Sequence, residues 1–283
     1  MDAPPVSLHD KSILITGGSM GIGLACARAC IDAGARVMIC ARGTGALAAA
    51  AVELGDDVAT ACADVGDPGD VDALFDAFAT ALGRCDGVIH CAGVYGPIGP
   101  ITEVEPDAWW DALRINLFGT FLVARGAARR MRPAGGGRIV LFSGGGASGP
   151  FPNYTAYASG KAAVVRFTET IAQELSPEIE VNCVAPGFVA TRLHRETLDA
   201  GTRAGGFLDK TRAELDRGGV APEVGAAAAA FLVSDAAAGI TGKFVAAPYD
   251  GYRAWPERLE ELRTSDIFTL RRILPRERGM DWQ

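Results

Sequence analysis

The chain has 283 residues, 49% of them hydrophobic, and it carries a formal net charge of −7 at pH 7. This length and apolar content are enough for one large α/β domain with its own core. The negative charge argues against a nucleic-acid partner or an anionic membrane surface, because both require a basic footprint.

Cysteine usage and the N-terminal segment indicate the setting in which the chain works. Its seven cysteines are odd in number and form no C-x-x-C pair, and only three histidines are present. We therefore predict reduced, mostly buried thiols and no metal site. Residues 1–10 lack the apolar stretch of a secretion signal, and no uninterrupted apolar run of about 20 residues follows. We expect a cytoplasmic protein without a membrane span.

Short apolar runs rich in Val and Ile alternate with longer helical stretches along most of the chain. Strands that are buried on both faces show this pattern. The predicted strands are Ser12–Thr16, Arg36–Ala41, Val58–Ala63, Gly87–Cys91, Arg138–Ser143, Ile179–Val184 and Lys243–Ala246. Helices are predicted between them, as at Pro68–Leu82 and Pro106–Arg130. The fold class is therefore α/β, with a single Rossmann-type, doubly wound parallel sheet of about seven strands and helices on both faces.

No linker or internal repeat divides the sequence, so residues 1–283 are predicted to form one domain with a core at about 8–251. Two segments fall outside the alternation. Residues 192–219 contain six basic and five acidic side chains and paired glycines, and we predict a substrate lid there, with His194 as a solvated loop residue. Residues 252–283 are too apolar for a free tail, and we expect this extension to pack over a pocket or on a neighbouring subunit.

A glycine-rich turn follows the first predicted strand and leads into an Ala-rich helix. Missing side chains in such a turn let a diphosphate approach the backbone amides and the positive end of the helix. No Lys follows the turn, which disfavours a nucleoside triphosphatase loop. The predicted diphosphate contacts are Gly17, Ser19, Met20, Gly21, Ile22 and Gly23.

The end of the second predicted strand bears on which nicotinamide cofactor binds. An acid usually stands there in NAD-binding proteins, because it bonds the adenosine 2′-hydroxyl. Ala41 replaces that acid, and Arg42 could pair with a 2′-phosphate, although a solvated surface Arg is the plain alternative. We favour NADP(H) over NAD(H). Asp64 and Val65 are predicted to meet the adenine edge, although an Asp before a helix is also an ordinary cap.

Tyr157 and Lys161 lie four residues apart near the start of a predicted long helix, and they therefore share one face of it. A free phenol has a pKa of about 10, and a nearby ammonium is expected to lower it. Tyr157 could then protonate a carbonyl oxygen or deprotonate an alcohol. Lys161 could also hold the ribose hydroxyls of a nicotinamide nucleotide. Tyr and Lys at this spacing are common on helices, so the pair alone is weak evidence.

Five motifs occur in the order and spacing of the short-chain dehydrogenase/reductase family, which the chain resembles over about residues 8–251. They are Thr16-Gly17-x3-Gly21-x-Gly23, Cys91-Ala92-Gly93, Asn116-x2-Gly119, Tyr157-x3-Lys161 and Pro186-Gly187-x3-Thr191. The resemblance implies a catalytic set of Asn116, Tyr157 and Lys161, in which Asn116 anchors a water relay to Lys161. It also implies cofactor contacts at Ala92, Gly93, Pro186, Gly187, Val189 and Thr191, the last two holding the nicotinamide carboxamide.

One position departs from the family pattern. The family's substrate-binding Ser corresponds to Gly144 in this chain, and Ser143 stands one residue early. A one-residue shift in a strand turns a side chain to the opposite face, although the following glycines could let the chain bend. We keep Ser143 as a doubtful catalytic residue, with Ser148 as another candidate.

The predicted function is transfer of a hydride between an NAD(P) nicotinamide and a carbonyl or secondary alcohol carbon of a small molecule. Tyr95, Asn153 and Tyr154 flank the presumed pocket and are predicted substrate contacts. Two alternatives stay open, namely an epimerase or dehydratase on the same scaffold and an inert nucleotide-sensing protein. By resemblance we expect a homodimer or homotetramer.

Overall fold

The computed structural model describes residues 6–55 and 57–281. Its central element is a parallel sheet of seven strands in the order β3-β2-β1-β4-β5-β6-β7. The strands are β1 (Ser12–Thr16), β2 (Arg36–Ala41), β3 (Ala59–Cys62), β4 (Gly87–His90), β5 (Gly137–Phe142), β6 (Ile179–Ala185) and β7 (Phe244–Ala246). The predicted fold class is confirmed, and the predicted strand ends agree with these to within one residue.

Helices cover both faces of the sheet. They are α1 (Gly21–Asp32), α2 (Thr44–Leu54), α3 (Pro68–Leu82), α4 (Pro106–Leu113), α5 (Gly119–Met131), α6 (Thr155–Leu175), α7 (Arg192–Ala200), α8 (Phe207–Asp216), α9 (Pro222–Leu232) and α10 (Leu259–Thr264). Short 3-10 helices occupy Ile101–Glu103, Arg132–Ala134, Gly201–Ala204, Asp235–Ala237, Tyr252–Arg258 and Pro275–Arg278. None of the helices among the described residues is both long and apolar enough to cross a bilayer.

Alternate strand residues face two separate layers of the core. In β1, Ile13 and Ile15 belong to the cluster that includes α1, α2 and α9, whereas Leu14 belongs to the cluster with α3, α5 and α6. This period of two follows from the pleat of a strand. Because both faces are buried, the strands are continuous apolar runs, and the Rossmann pattern was readable from sequence.

The prediction of one continuous helix over Pro106–Arg130 is wrong in the middle of that range. Residues Arg114–Phe118 form a π-helical segment between α4 and α5, and Asn116 lies inside it, fully buried. Such a segment inserts one extra residue into the helical turn, and π segments are frequent at functional sites. Hydrophobic periodicity does not reveal the insertion, because the apolar stretch continues on both sides of it.

The C-terminal extension packs against the chain's own sheet edge. Trp255 and Leu262 are buried in the core, and the Trp255 and Phe268 ring centroids lie 4.3 Å apart. The Phe244 amide of β7 donates to the Phe268 carbonyl over 2.8 Å, and Lys243 Nζ donates to the Ile267 carbonyl over 3.0 Å. The expectation that the extension covers a pocket is wrong for the part described, residues 252–281, which lines neither cavity considered below.

Candidate active site

Two adjoining cavities open beyond the carboxyl ends of the strands, where ligands bind in open parallel sheets. The larger, of about 830 Å³, runs along the glycine turn and the ends of β2 and β3, and we call it the cofactor cleft. The smaller, of about 520 Å³, lies beside Tyr157, and we call it the reaction pocket. They share a border, so the two form one continuous site. The shared residues are Ile22, Cys91, Gly93, Thr191, Leu193 and His194.

The glycine turn after β1 is shaped by glycine itself. Gly17 has a φ of +68°, and a Cβ there would lie 2.8 Å from the Ala92 amide nitrogen. A Cβ at Gly23 would overlap the Gly17 carbonyl oxygen. Helix α1 then begins without a side-chain cap and without an acid in its first turn, which leaves its amides free to bind an anion. The turn therefore fits the diphosphate of a dinucleotide.

The adenosine end of the cofactor cleft carries a cation without an ion-pair partner. Arg42 is exposed there and makes no salt bridge to any described residue. Asp64 is held by its neighbours, since its Oδ1 accepts from the Gly66 amide over 2.9 Å and its Oδ2 lies 3.7 Å from Arg114 Nη1. No described carboxylate lies within ion-pair distance of Arg42, so its charge is available to a 2′-phosphate.

The structure brings every predicted cofactor contact to the same site. Those in the cofactor cleft are Gly17, Ser19, Met20, Gly21, Ile22, Gly23, Arg42, Asp64, Val65, Ala92, Gly93 and Thr191. Those in the reaction pocket include Tyr157, Lys161, Pro186, Gly187 and Val189. Strand ends far apart in the sequence thus converge on one cleft, as the topology of the sheet requires.

Tyr157 and Lys161 project from α6 into the reaction pocket and are both more than nine-tenths buried. Lys161 Nζ donates to the Phe142 carbonyl at the end of β5 over 2.8 Å, and it lies 5.7 Å from the centroid of the Tyr157 ring. Burial lowers the pKa of Lys161 to about 8. The side chain is therefore mostly an ammonium ion at neutral pH, held in place by a main-chain carbonyl.

Burial raises the pKa of the Tyr157 phenol above its usual value of about 10. The expectation that Lys161 lowers this pKa is wrong in sign for this structure. The physical reason is that desolvation disfavours the phenolate and outweighs an ammonium directed at the Phe142 carbonyl instead. A phenol held in its neutral form is suited to donate a proton, which is the role required when a carbonyl is reduced.

Asn116 lies behind the catalytic pair rather than in the pocket wall. Its Nδ2 donates to the Val94 carbonyl over 2.8 Å, and its Oδ1 accepts from the Val94 amide over 3.0 Å. Its own carbonyl accepts from Thr120 Oγ1 over 2.7 Å. A Cβ at Gly93 would lie 2.9 Å from Asn116 Oδ1 and 3.4 Å from Lys161 Nζ, so both side chains approach the space that a side chain at residue 93 would need. The water relay that the resemblance implies stays a prediction.

Ser143 borders the reaction pocket but its hydroxyl is used within the protein. Ser143 Oγ donates to the Lys161 carbonyl over 3.0 Å, and the residue is only 4% exposed. Gly144 instead lies beneath the Tyr157 hydroxyl, with which a Cβ at this position would overlap. Ser148 is exposed and does not line the pocket. The hydroxyl of Ser143 thus ties β5 to α6, next to the catalytic Lys.

Aromatic rings surround the rest of the reaction pocket. Tyr95 meets Tyr157 edge to face with centroids 4.8 Å apart, and it lines the pocket as predicted. The structure does not bring Asn153 or Tyr154 into the wall. Tyr154 is completely buried, and its hydroxyl donates to Thr197 Oγ1 of α7 over 2.9 Å. Tyr154 therefore anchors the segment predicted as a lid, which consists of α7, a 3-10 turn and α8.

The expectation that His194 is solvated is wrong. The side chain is only 7% exposed, borders both cavities and lies with its ring centroid 3.8 Å from that of Phe188. Burial lowers its pKa to about 4, so the imidazole is neutral at pH 7. Nothing in its polar neighbourhood along the sequence indicates this burial, which depends on the fold of α7 over the pocket.

Comparison with known proteins assigns the family. Residues 17–248 match the family model described as "Enoyl-(Acyl carrier protein) reductase". A D-threitol dehydrogenase from Mycolicibacterium smegmatis is 38% identical over 244 residues, which is 83% of this chain and 90% of the relative. The chain belongs to the short-chain dehydrogenase/reductase family.

Two solved structures of this family show the same fold. An actinorhodin polyketide ketoreductase variant with NADPH has a TM-score of 0.77 and 29% identity, over 83% of this chain and 95% of that one. An NAD⁺-bound xylitol dehydrogenase has a TM-score of 0.78 and 27% identity, over 84% and 98%. The protein is accordingly a nicotinamide-dependent oxidoreductase that moves a hydride between the cofactor and a carbonyl or alcohol carbon, the first of the three functions considered from sequence.

Proposed function

We propose that the chain is a single-domain, NADP(H)-preferring dehydrogenase/reductase in which Tyr157 exchanges a proton with the oxygen of a small carbonyl or alcohol substrate. The observation that supports it most directly is the continuity of the site. Tyr157 and Lys161 border the same opening as the glycine turn and the unpaired Arg42. When bound, the nicotinamide supplies or accepts the hydride.

The residues divide the remaining work between them. Tyr157 gives its phenolic proton to the carbonyl oxygen during reduction and takes the alcohol proton in the reverse direction. Lys161 holds a positive charge near this oxygen, fixed by the Phe142 carbonyl, and would meet the ribose hydroxyls of the cofactor. Asn116 fixes the backbone at Val94 and thereby the close approach at Gly93. Ser143 supports Lys161 through its carbonyl and is not assigned to substrate.

The preference for NADP(H) is supported by Arg42. Of the two related structures, one contains NADPH and the other NAD⁺. Exposed apolar side chains along α4 to α5 support a homodimer or homotetramer. Trp110 is 66% exposed, and Phe118 and Phe121 stack with centroids 5.9 Å apart while 42% and 40% exposed. The cytoplasmic setting stays a prediction from sequence.

The proton-transfer role is tested with Tyr157→Phe and the control Tyr249→Phe, whose side chain is exposed and outside both cavities. We expect kcat to fall by about 10²–10⁴-fold in the first variant, because general acid–base catalysis contributes that much. The NADPH dissociation constant should stay unchanged in both. Turnover is followed by the absorbance of the reduced nicotinamide. A Tyr157→Phe enzyme within a few-fold of the parent would refute the assignment.

A further inference from the structure

We propose that the substrate is a ketone or secondary alcohol carried on a mainly apolar ring system, and not an open-chain polyol. This inference rests on the proposed function, because it concerns the pocket into which Tyr157 projects. It depends on what the wall of that pocket contains and on what the wall lacks.

The wall beside Tyr157 consists mainly of rings. Phe151 lies 6.2 Å from Tyr157 and 4.5 Å from Phe207 between ring centroids, the second contact at an interplanar angle of 81°. Tyr95 approaches Tyr157 from another side, and Phe188 lines the pocket near His194. Edge-to-face arrangements of this kind present both ring faces and ring edges to a ligand. They favour a planar or alicyclic ring as the occupant.

Outside the Tyr157–Lys161 pair, the polar side chains of the described wall are Tyr95, Ser143, Thr191, His194 and Lys210. Among the described residues that line the pocket there is no Asp, Glu, Asn or Gln. The Ser143 hydroxyl donates to the Lys161 carbonyl, and the Lys161 ammonium donates to the Phe142 carbonyl. In the part of the wall that the structure describes, His194 Nδ1 is the one fully buried polar atom without a hydrogen-bond partner.

A polyol requires far more from its pocket than this wall provides. Each of its hydroxyls must exchange hydrogen bonds with water for bonds with the protein, and an unpaired buried hydroxyl is costly. Sites that select hydroxylated substrates do so with matching polar groups. The described wall offers the Tyr95, Thr191, His194 and Lys210 side chains for this purpose and no carboxylate or amide side chain, so it matches a ring with one or two polar groups better than a chain with a hydroxyl on every carbon.

The side formed by the loop after β5 provides room for a ring. Gly144, Gly145 and Gly146 line the pocket without side chains, and a Cβ added at Gly145 would meet no atom within 4 Å. Phe207 and Phe151 come from separate elements, α8 and this same loop. The slot between rings and glycines thus combines apolar contact surface with room for a ring. Its volume of about 520 Å³ is in the range of sites for drug-sized ligands.

The first experiment measures binding without requiring turnover. The protein saturated with NADPH is titrated with 2-tetralone, a fused ring ketone, and with xylitol, an open-chain polyol, by ligand-observed NMR. We expect saturable binding of 2-tetralone and none of xylitol at the same concentration. Xylitol bound as tightly as the ring compound, or no binding of either, would overturn the inference.

The second experiment tests whether the ring wall is the contact surface. Phe207→Ala and Phe151→Ala are compared with Tyr249→Ala, an exposed aromatic outside both cavities. We expect each wall variant to weaken 2-tetralone binding by about fivefold, because an aromatic contact is worth around 1 kcal/mol and 1.4 kcal/mol is tenfold. The dissociation constant of NADPH should be unchanged in all three variants. The binding of 2-tetralone should also be unchanged in Tyr249→Ala. Unchanged 2-tetralone binding in both wall variants would refute the ring contact.

Turnover separates the failure of this inference from the failure of the proposed function. Reduction of 2-tetralone that disappears in Tyr157→Phe supports both. Specific binding of 2-tetralone without any turnover supports the substrate class and contradicts the proton-transfer assignment for it. If xylitol is oxidised with a higher kcat/KM than 2-tetralol, the alcohol of 2-tetralone, the proposed substrate class is contradicted. The oxidoreductase assignment is then left intact.

Discussion

The α-carbon of Gly144 lies directly beneath the hydroxyl of Tyr157, so that a Cβ added at residue 144 would overlap the phenolic oxygen. The family pattern has a Ser at this position, and the present chain has removed its side chain. The Tyr157 hydroxyl occupies the space that this Ser would need. The orientation of the phenol in this enzyme therefore depends on the missing side chain.

We expect Gly144→Ala to displace the Tyr157 hydroxyl and to lower kcat by about tenfold or more, since misplacing a reacting group by 1 Å can cost about 10²-fold. NADPH affinity should stay close to that of the parent. Gly145→Ala is the matched control, because a Cβ there meets nothing within 4 Å. Initial rates and NADPH titrations of the three proteins decide the matter. Equal rates in parent and Gly144→Ala would show that Tyr157 moves freely.

Ser143→Ala should lower the free energy of unfolding by about 1 kcal/mol, which is typical for the loss of one buried hydrogen bond. Its hydroxyl donates to the Lys161 carbonyl, and kcat/KM should therefore stay within a few-fold of the parent. Ser148→Ala, in the same loop but exposed, should change neither quantity. Denaturant titration measures the free energy of unfolding, and steady-state kinetics measure kcat/KM. A loss of about 10²-fold in kcat and kcat/KM together would instead identify Ser143 as a donor to the reacting oxygen.

Arg42→Ala should weaken NADP(H) binding by about 10–100-fold, because a charge-assisted contact is worth roughly 1.5–3 kcal/mol, and it should leave NAD(H) binding unchanged. The parent should bind NADP(H) more tightly. Arg129→Ala, an exposed residue of α5 outside both cavities, serves as control. Calorimetric titration of both cofactors against all three proteins provides the measurement. Tighter binding of NAD(H) by the parent would contradict the preference.

Acid should destabilise the fold through its buried histidines. His90 Nδ1 lies 2.7 Å from Thr16 Oγ1, and burial together with the Lys161 charge lowers its pKa to about 3. An unfolded His titrates near 6.5, so between about pH 6.5 and 3 the unfolded chain binds more protons than the folded one. The contribution of His90 is complete above about pH 6.5 and decreases by up to ~1.4 kcal/mol per unit as pH falls. His194 adds a similar loss that ends near its lowered pKa of about 4.

His90→Asn should reduce the difference in free energy of unfolding between pH 7 and pH 5, whatever its effect at pH 7. His9→Asn, whose side chain is 80% exposed, should leave that difference unchanged. Urea titrations at the two pH values measure it. Identical pH dependence in parent and His90→Asn would show that His90 is not the acid-sensitive group.

The sequence predicts the sheet and the glycine turn well because both depend on local pattern. Strands such as β1 are apolar without interruption, and the turn after β1 needs Gly23 because a Cβ there would overlap the Gly17 carbonyl oxygen only six residues earlier. The π-helical insertion at Asn116 and the burial of His194 depend on contacts between distant elements instead. The direction of the Ser143 hydroxyl likewise depends on α6. The pKa of Tyr157 differs from the sequence-based expectation because spacing reveals a neighbouring charge but not the desolvation that raises the pKa.

The C-terminal extension also affects the tendency of the protein to aggregate. β7 is the last strand in the sheet order, and its outer side would offer unpaired amide and carbonyl groups to any strand of another molecule. The Phe268 carbonyl satisfies the Phe244 amide, and Trp255 and Phe268 cover the surface around it. An exposed sheet edge is a template for strand-to-strand aggregation, and the C-terminal extension prevents this by covering the edge of β7. Removal of residues 252–281 would therefore leave the Phe244 amide and the outer side of β7 open to a strand of another molecule.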